Sequence, residues 1–100
     1  VWVQAFDGDK LVGWATFLFE EENKAYMNLL VVDPEEQGKG IGKQLVFSIY
    51  SLYPHVDEIR LLLRKVNVKG RQFYEHIGFT DFDYQRKDNF VDVSLLTGLH

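Results

Sequence analysis

The stretch LLVVDPEEQGKGIGKQL, residues 29–45, changes its character midway. It opens on the end of an apolar run, YMNLLVV (26–32), which reads as a buried strand. Asp33-Pro34 ends that run. Gly38, Gly40 and Gly42 then alternate, leaving Ile41 as the one bulky apolar side chain in QGKGIG. From Gly40 the period shifts. Ile41, Leu45, Ile49 and Leu52 recur every three or four residues, with Val46 and Phe47 beside them, and give a helix with one broad apolar face. The helix stops before Pro54. A strand therefore hands over to a helix across a nearly bare loop.

Working outward, VWVQAF (1–6) and LVGWATFLFE (11–20) are rich in β-branched and aromatic residues. DGDK between them is a hairpin signal, because glycine accepts positive φ. EEENK (20–24) is a charged turn. EIRLLL (58–63) is short and apolar, and reads as a second buried strand. Asn67 is placed to cap the next helix. Val66, Gly70, Phe73, Tyr74 and Ile77 fall at helical spacing around it, and Gly78 is a left-handed stop. TDFDYQR (80–86) and FVDVSLL (90–96) flank KDN as a closing hairpin. The middle strand–helix–strand unit predicts a parallel pair with a right-handed crossover. The fold class is therefore α/β in the α+β sense: a mixed, mostly antiparallel sheet with two packed helices.

At 100 residues one domain, 1–100, is expected. The chain opens inside a strand without an initiator methionine, so residues are expected before Val1. A 46% apolar and 15% aromatic composition supports a real core, and a net charge of −4 argues against nucleic acid as a general partner. There is no cysteine, hence no disulfide framework and no thiol nucleophile. His55, His76 and His100 lack ligand spacing, so no metal is expected. Neither a signal peptide nor an 18-residue apolar span is visible. A cytoplasmic protein without a membrane partner is the expectation, and a homodimer stays open.

Three readings compete for the glycines. A P-loop needs four residues before Gly-Lys-Ser/Thr. Here Gly38 and Gly42-Lys43 are separated by three, and Gln44 follows. A dinucleotide fingerprint needs G-x-G-x-x-G and an acidic residue further on. Neither is present. The third reading is a differently spaced anion loop. Helix starts present unpaired N–H groups and partial positive charge. Glycines keep the approach clear there, and Lys39 and Lys43 add charge. A turn that merely starts a helix is the competing reading.

LLVVDPEEQGKGIGKQL also resembles motif A of the GNAT superfamily of acetyltransferases, through Gln37, Gly40 and Gly42. NVKGRQFYEHIGF (67–79) is similar to a second motif of that family, through Asn67, Tyr74, Gly78 and Phe79. The family's usual N-terminal strand and helix pair have no counterpart. The resemblance implies acetyl-CoA as cofactor and an amine as acceptor. It implies that the central parallel strands, Tyr26–Val32 and Glu58–Leu63, splay around the pantetheine arm. Leu30, Val31 and Val32 would hold that arm. Gln37, Gly38, Lys39, Gly40, Ile41, Gly42 and Lys43 would hold the pyrophosphate. Asn67 would touch the cofactor, and Tyr74 would be the general acid.

Asn67 also reads as a plain cap, and Tyr74 as a core aromatic with a hydrogen-bonded hydroxyl. No general base is legible. The strand positions where the family places a glutamate correspond to Tyr26 and Leu62. Asn28 and Asp33 are polar, and Asp33 reads as part of a turn. Glu20, Glu21 and Glu22 read either as an acceptor entrance or as a solvated loop, and Arg60 and Arg64 as surface charges or partner contacts. The leading function is an N-acetyltransferase acting on a primary amine. The alternatives are a non-catalytic acyl-CoA-binding or regulatory domain, and an interaction module without a ligand.

Overall fold

The computed structural model describes residues 1–96. The chain runs β1 (Trp2–Asp7), β2 (Lys10–Glu21), β3 (Lys24–Val32), a 3₁₀ turn (Pro34–Glu36), α1 (Ile41–Leu52), β4 (Glu58–Arg64), α2 (Val68–Ile77), β5 (Asp81–Asp83) and β6 (Phe90–Leu96). The sheet order is β1-β2-β3-β4-β6-β5. Only β3 and β4 run parallel; the other neighbours are antiparallel. This is the mixed sheet that the order of elements predicts.

Alternation decides which face is covered. Val12, Ala15 and Phe17 of β2, Ala25 and Met27 of β3, Ile59, Leu61 and Leu63 of β4, and Val91 and Val93 of β6 are all buried. All but Val12 share one core with Leu45, Val46 and Ile49 of α1 and with Tyr74 and Ile77 of α2. Both helices thus lie on the same face. The opposite face carries Trp14, Tyr26, Arg60, Leu62 and Asp92, all half-buried.

The turns follow local chemistry. Gly8, with φ +61°, opens the two-residue turn between paired Asp7 and Lys10. The Asp33 carboxylate accepts from the Glu35 N–H at 2.9 Å and caps the 3₁₀ turn. Gly78, φ +117°, ends α2. Asn67 Oδ1 accepts from the Gly70 N–H at 2.8 Å, so the cap reading holds. A Cβ on Gly70 would sit 2.6 Å from the Asn67 side chain and 2.9 Å from Leu63. Cap and glycine therefore fit one another. Asn67→Ala is expected to cost about 1 kcal/mol; a urea midpoint unchanged from wild type would remove the cap from the stability of α2.

Two sequence expectations change. Val66 lies outside α2 and is 83% exposed, because the cap at Asn67 starts the helix after it. The expected strand TDFDYQR shrinks to Asp81–Asp83. There the Asp83 carboxylate takes the Gln85 N–H at 2.9 Å, and the Asp88 carboxylate takes the Phe90 N–H at 3.1 Å. Such local side-chain bonds draw the backbone out of the ladder.

Candidate functional site

The central strands part early. β3 and β4 pair only from Lys24–Glu58 to Tyr26–Arg60. Just beyond, β3 carries a bulge: Thr16 lies opposite Leu29 and Phe17 opposite Met27, leaving Asn28 as the extra residue. The Thr16 hydroxyl donates to Asn28 Oδ1 at 2.7 Å and pins it. A bulge bends its strand and raises the local twist. It falls where the parallel pairing stops, so β3 stays with β2 and leaves β4. From the fork onward the edge of β3 that faces β4 has no strand partner.

A cleft of about 700 Å³ opens below this fork. Leu30, Val32, Gln37, Gly38, Gly40, Gly42, Lys43, Asn67 and Tyr74 line it. Nine of the twelve residues singled out in the sequence thus meet in one place. Val31, Lys39 and Ile41 are not among the lining residues. The Val31 carbonyl faces Gly13 of β2, and Ile41 packs against the core. Lys39 is held by Glu36, with Nζ 3.0 Å from Oε2.

At the mouth of α1 the N-cap is Gly40, which has no side chain to satisfy the first turn. The first N–H groups of a helix have no intrahelical partner. Gln44 is the first to bond back, to the Gly40 carbonyl at 3.0 Å. Gly38 and Gly40 both need left-handed backbone, at φ +86° and +83°, and a Cβ on either would meet nothing within 4 Å. Gly42 is small for another reason. Its Cβ would come 3.1 Å from the Phe73 ring, so it seats α1 against α2. The three glycines read alike in sequence, and one of them serves packing. The Gln37 side chain reaches back to the Val32 carbonyl at 3.4 Å, tying the loop to the end of β3. Lys43 has no ion-pair partner among the described residues.

Tyr74 sits edge-on between Phe73 and Phe79, with ring centroids 5.0 and 5.3 Å away. Its ring belongs to the core, and the residue also lines the cleft. Its hydroxyl has no hydrogen-bond partner among the described residues, yet it is not sealed from solvent. Burial pushes its pKa up to about 12, so it stays protonated at neutral pH. Asn67 Nδ2 is likewise without a partner among the described residues, because the cap uses only Oδ1.

Sequence reasoning missed several lining residues, including Glu36, Lys69, Phe73 and His76. Helical spacing from Asn67 and Tyr74 was the available signal for the α2 residues. Glu36 carried none, since EE after a proline reads as a solvated first turn. Its side chain is only 12% exposed. Removing its charge relieves repulsion on any anion bound beside it. Glu36→Gln is expected to raise coenzyme A affinity about five-fold; calorimetry showing weaker binding instead would mean that Glu36 serves by aiming Lys39.

Beyond the fork, on the open face, charges are already matched. The Arg60 guanidinium lies over the Tyr26 ring at 5.2 Å, 3.3 Å from Asp92 and 3.6 Å from Glu20. Arg86 reaches Asp92 at 3.5 Å and bonds Asp88, whose carboxyl it holds down at about 2. Arg64 lies over Phe90 at 6.0 Å. Leu62 faces Asp92 across the β4–β6 ladder. Among the described residues no group of three or more acidic or histidine side chains is placed to hold a metal, and no helix is long and apolar enough to cross a membrane. His100 lies outside the described residues.

A forked parallel pair whose open end meets an uncapped helix mouth defines an α/β domain with one open cleft between its central strands. The model of the acetyltransferase (GNAT) family matches residues 1–79, and the chain belongs to that family. The peptidyl-lysine N-acetyltransferase YjaB of Salmonella typhimurium is 32% identical over 79 residues, which are 79% of this chain and 49% of that protein. The chain thus spans about half the length of this curated relative. The crystal structure of PaiA N-acetyltransferase from Thermoplasma acidophilum, in complex with coenzyme A, superposes with a TM-score of 0.84 at 24% identity. It covers 96% of this chain and 60% of that one. The ribosomal-protein-S18-alanine N-acetyltransferase from Escherichia coli gives 0.76 at 20% identity, over 100% and 70%. At these identities the structural likenesses bear on the fold.

Proposed function

We propose that this chain carries the cofactor cleft and the proton-bearing tyrosine of an N-acetyltransferase that moves an acetyl group from acetyl-CoA to a primary amine. The observation that carries it is the uncapped mouth of α1 at the open end of the β3–β4 fork. Acetyl-CoA, when bound, supplies an activated thioester on a long arm ended by a diphosphate. The residues present fit each part. The amides from Gly38 to Lys43, with the unpaired Lys43 ammonium, suit the diphosphate. Lys39 joins them once it leaves Glu36. The free edge of β3 at Leu30 and Val32, on either side of Val31, whose carbonyl faces β2, suits an arm that bonds as a strand would. An N–H on that edge can stabilise a developing oxyanion. Asn67 keeps its cap and offers Nδ2 to the cleft. Tyr74 holds a proton at Oη beside the fork.

The amine needs no carboxylate base in this reading. Tyr26 and Leu62 occupy the strand positions in question, and Asp92 is committed to two arginines. Its proton passes to water. The lack of a glutamate at those two strand positions also favours a second reading, an acyl-CoA-binding domain without turnover. The peptidyl-lysine and alanine acceptors of the relatives make a protein amine one acceptor class to assay. A cytoplasmic location fits such a substrate.

Calorimetry with acetyl-CoA against pantetheine, which lacks the diphosphate, tests the assignment. Acetyl-CoA is expected to bind at least about 100-fold more tightly, since charge-assisted bonds to the loop contribute roughly 1.5–3 kcal/mol each. Equal affinities would overturn the anion loop. Binding without thiol release, across a broad amine panel, would select the non-catalytic reading.

A further inference from the structure

At the far end of α1, about 18 Å of helix from the uncapped mouth, three aromatic rings gather at the surface. We propose that this notch, formed by Phe19, Tyr53 and His55 beside the Glu21–Glu22 turn, binds a methylated ammonium head group. The five residues border a shallow depression of about 450 Å³, widely open to solvent.

The rings make a corner. Phe19 and His55 lie nearly parallel, at 18° with centroids 6.4 Å apart. Tyr53 stands edge-on to both, at 73° and 5.0 Å from Phe19 and at 89° and 6.3 Å from His55. Phe19 faces the helix side of the sheet but stays 40% exposed, beyond the end of the core at Phe17. Tyr53 is the C-cap of α1, and its N–H bonds the Ile49 carbonyl at 2.9 Å. The strand and the helix end therefore fix two of the rings in place.

Charge points one way. Aromatic faces attract cations. Glu21 is matched by Lys24 at 2.9 Å, but Glu22 has no ion-pair partner among the described residues. The C-terminal end of α1 carries partial negative charge, and no basic residue lies in its last turn. Three rings, an unmatched carboxylate and a helix C-terminus thus border one open depression. The rings give methyl groups a surface to cover, which a primary ammonium, a compact and strongly hydrated charge, cannot use. A methylated ammonium gives up less water and covers the rings with its methyl groups.

The test is an NMR titration of the full chain with choline. The comparison is 3,3-dimethylbutan-1-ol, its uncharged isostere, at matched ionic strength. Choline is expected to give saturable shifts at the Phe19, Tyr53 and His55 rings, leaving Gly40 and Tyr74 unmoved. Tyr53→Leu and Glu22→Gln should each weaken binding about two- to five-fold, the range of one exposed cation–π contact. Glu22 lies on an exposed turn, so its variant reports even if Tyr53→Leu does not fold. Equal binding of the alcohol would overturn the proposal, and so would shifts no larger than sodium chloride produces or shifts centred on the fork.

Discussion

Gly40→Glu is expected to lose coenzyme A binding by about 100-fold or more while the chain stays folded. Two effects add. Gly40 has φ +83°, where an L side chain costs roughly 1–2 kcal/mol. The new carboxylate also stands at the mouth of α1, where like charges a few ångströms apart repel by about 1–4 kcal/mol between water-like and surface dielectrics. The open space around Gly40 means that no clash unfolds the loop. Gly40→Ala separates the two effects, for it keeps the strain and drops the charge; only a few-fold loss is expected. Gly8→Glu is the second control. Gly8 is also left-handed, at φ +61°, but sits in the β1–β2 turn outside the cleft. It should cost stability and leave binding alone. Titration calorimetry giving Gly40→Glu wild-type affinity would remove the mouth of α1 from the anion site.

Much of this was legible because it is local. The change of hydrophobic period at Gly40, the cap at Asn67 and the stop at Gly78 are short-range signals, and each element they bound is present. The order of elements was enough to give one parallel pair in a mixed sheet. What was not legible depends on contacts distant in sequence. Gly42 reads as a third loop glycine until Phe73 is brought against it from α2. The fork depends on Asn28 being extra relative to β2, which a register sets and a composition does not. Glu36 reads as solvated, yet its side chain is only 12% exposed and pairs with Lys39. The short β5 follows from two aspartates bonding their own backbone. Strand propensity alone placed that boundary at Arg86.

Tyr74→Phe is expected to lower turnover about 100-fold while changing acetyl-CoA affinity less than two-fold, the size seen when one oriented donor to developing charge is removed. The kind of donation follows from the pKa. A phenol at about 12 is a far weaker acid than a thiol, near 8.5. Full proton transfer from Tyr74 to a departing thiolate is uphill, so in the proposed reaction Tyr74 would act by holding its hydrogen toward the sulfur. Turnover should accordingly show no falling limb from Tyr74 below about pH 10, its unshifted value. A purely structural role predicts otherwise. Phenylalanine keeps the ring contacts to Phe73 and Phe79 and removes a hydroxyl that has no partner among the described residues, so stability at neutral pH should barely change. Alkaline stability gives an independent check on the burial. The folded pKa is raised above the unfolded one, so this group's contribution is full below pH 10 and is lost as pH rises through about 12. Wild type should lose about 2–3 kcal/mol over that window from this group, and the phenylalanine variant should not. A variant that lacks the alkaline loss but turns over at the wild-type rate would leave Tyr74 in the core and out of the chemistry.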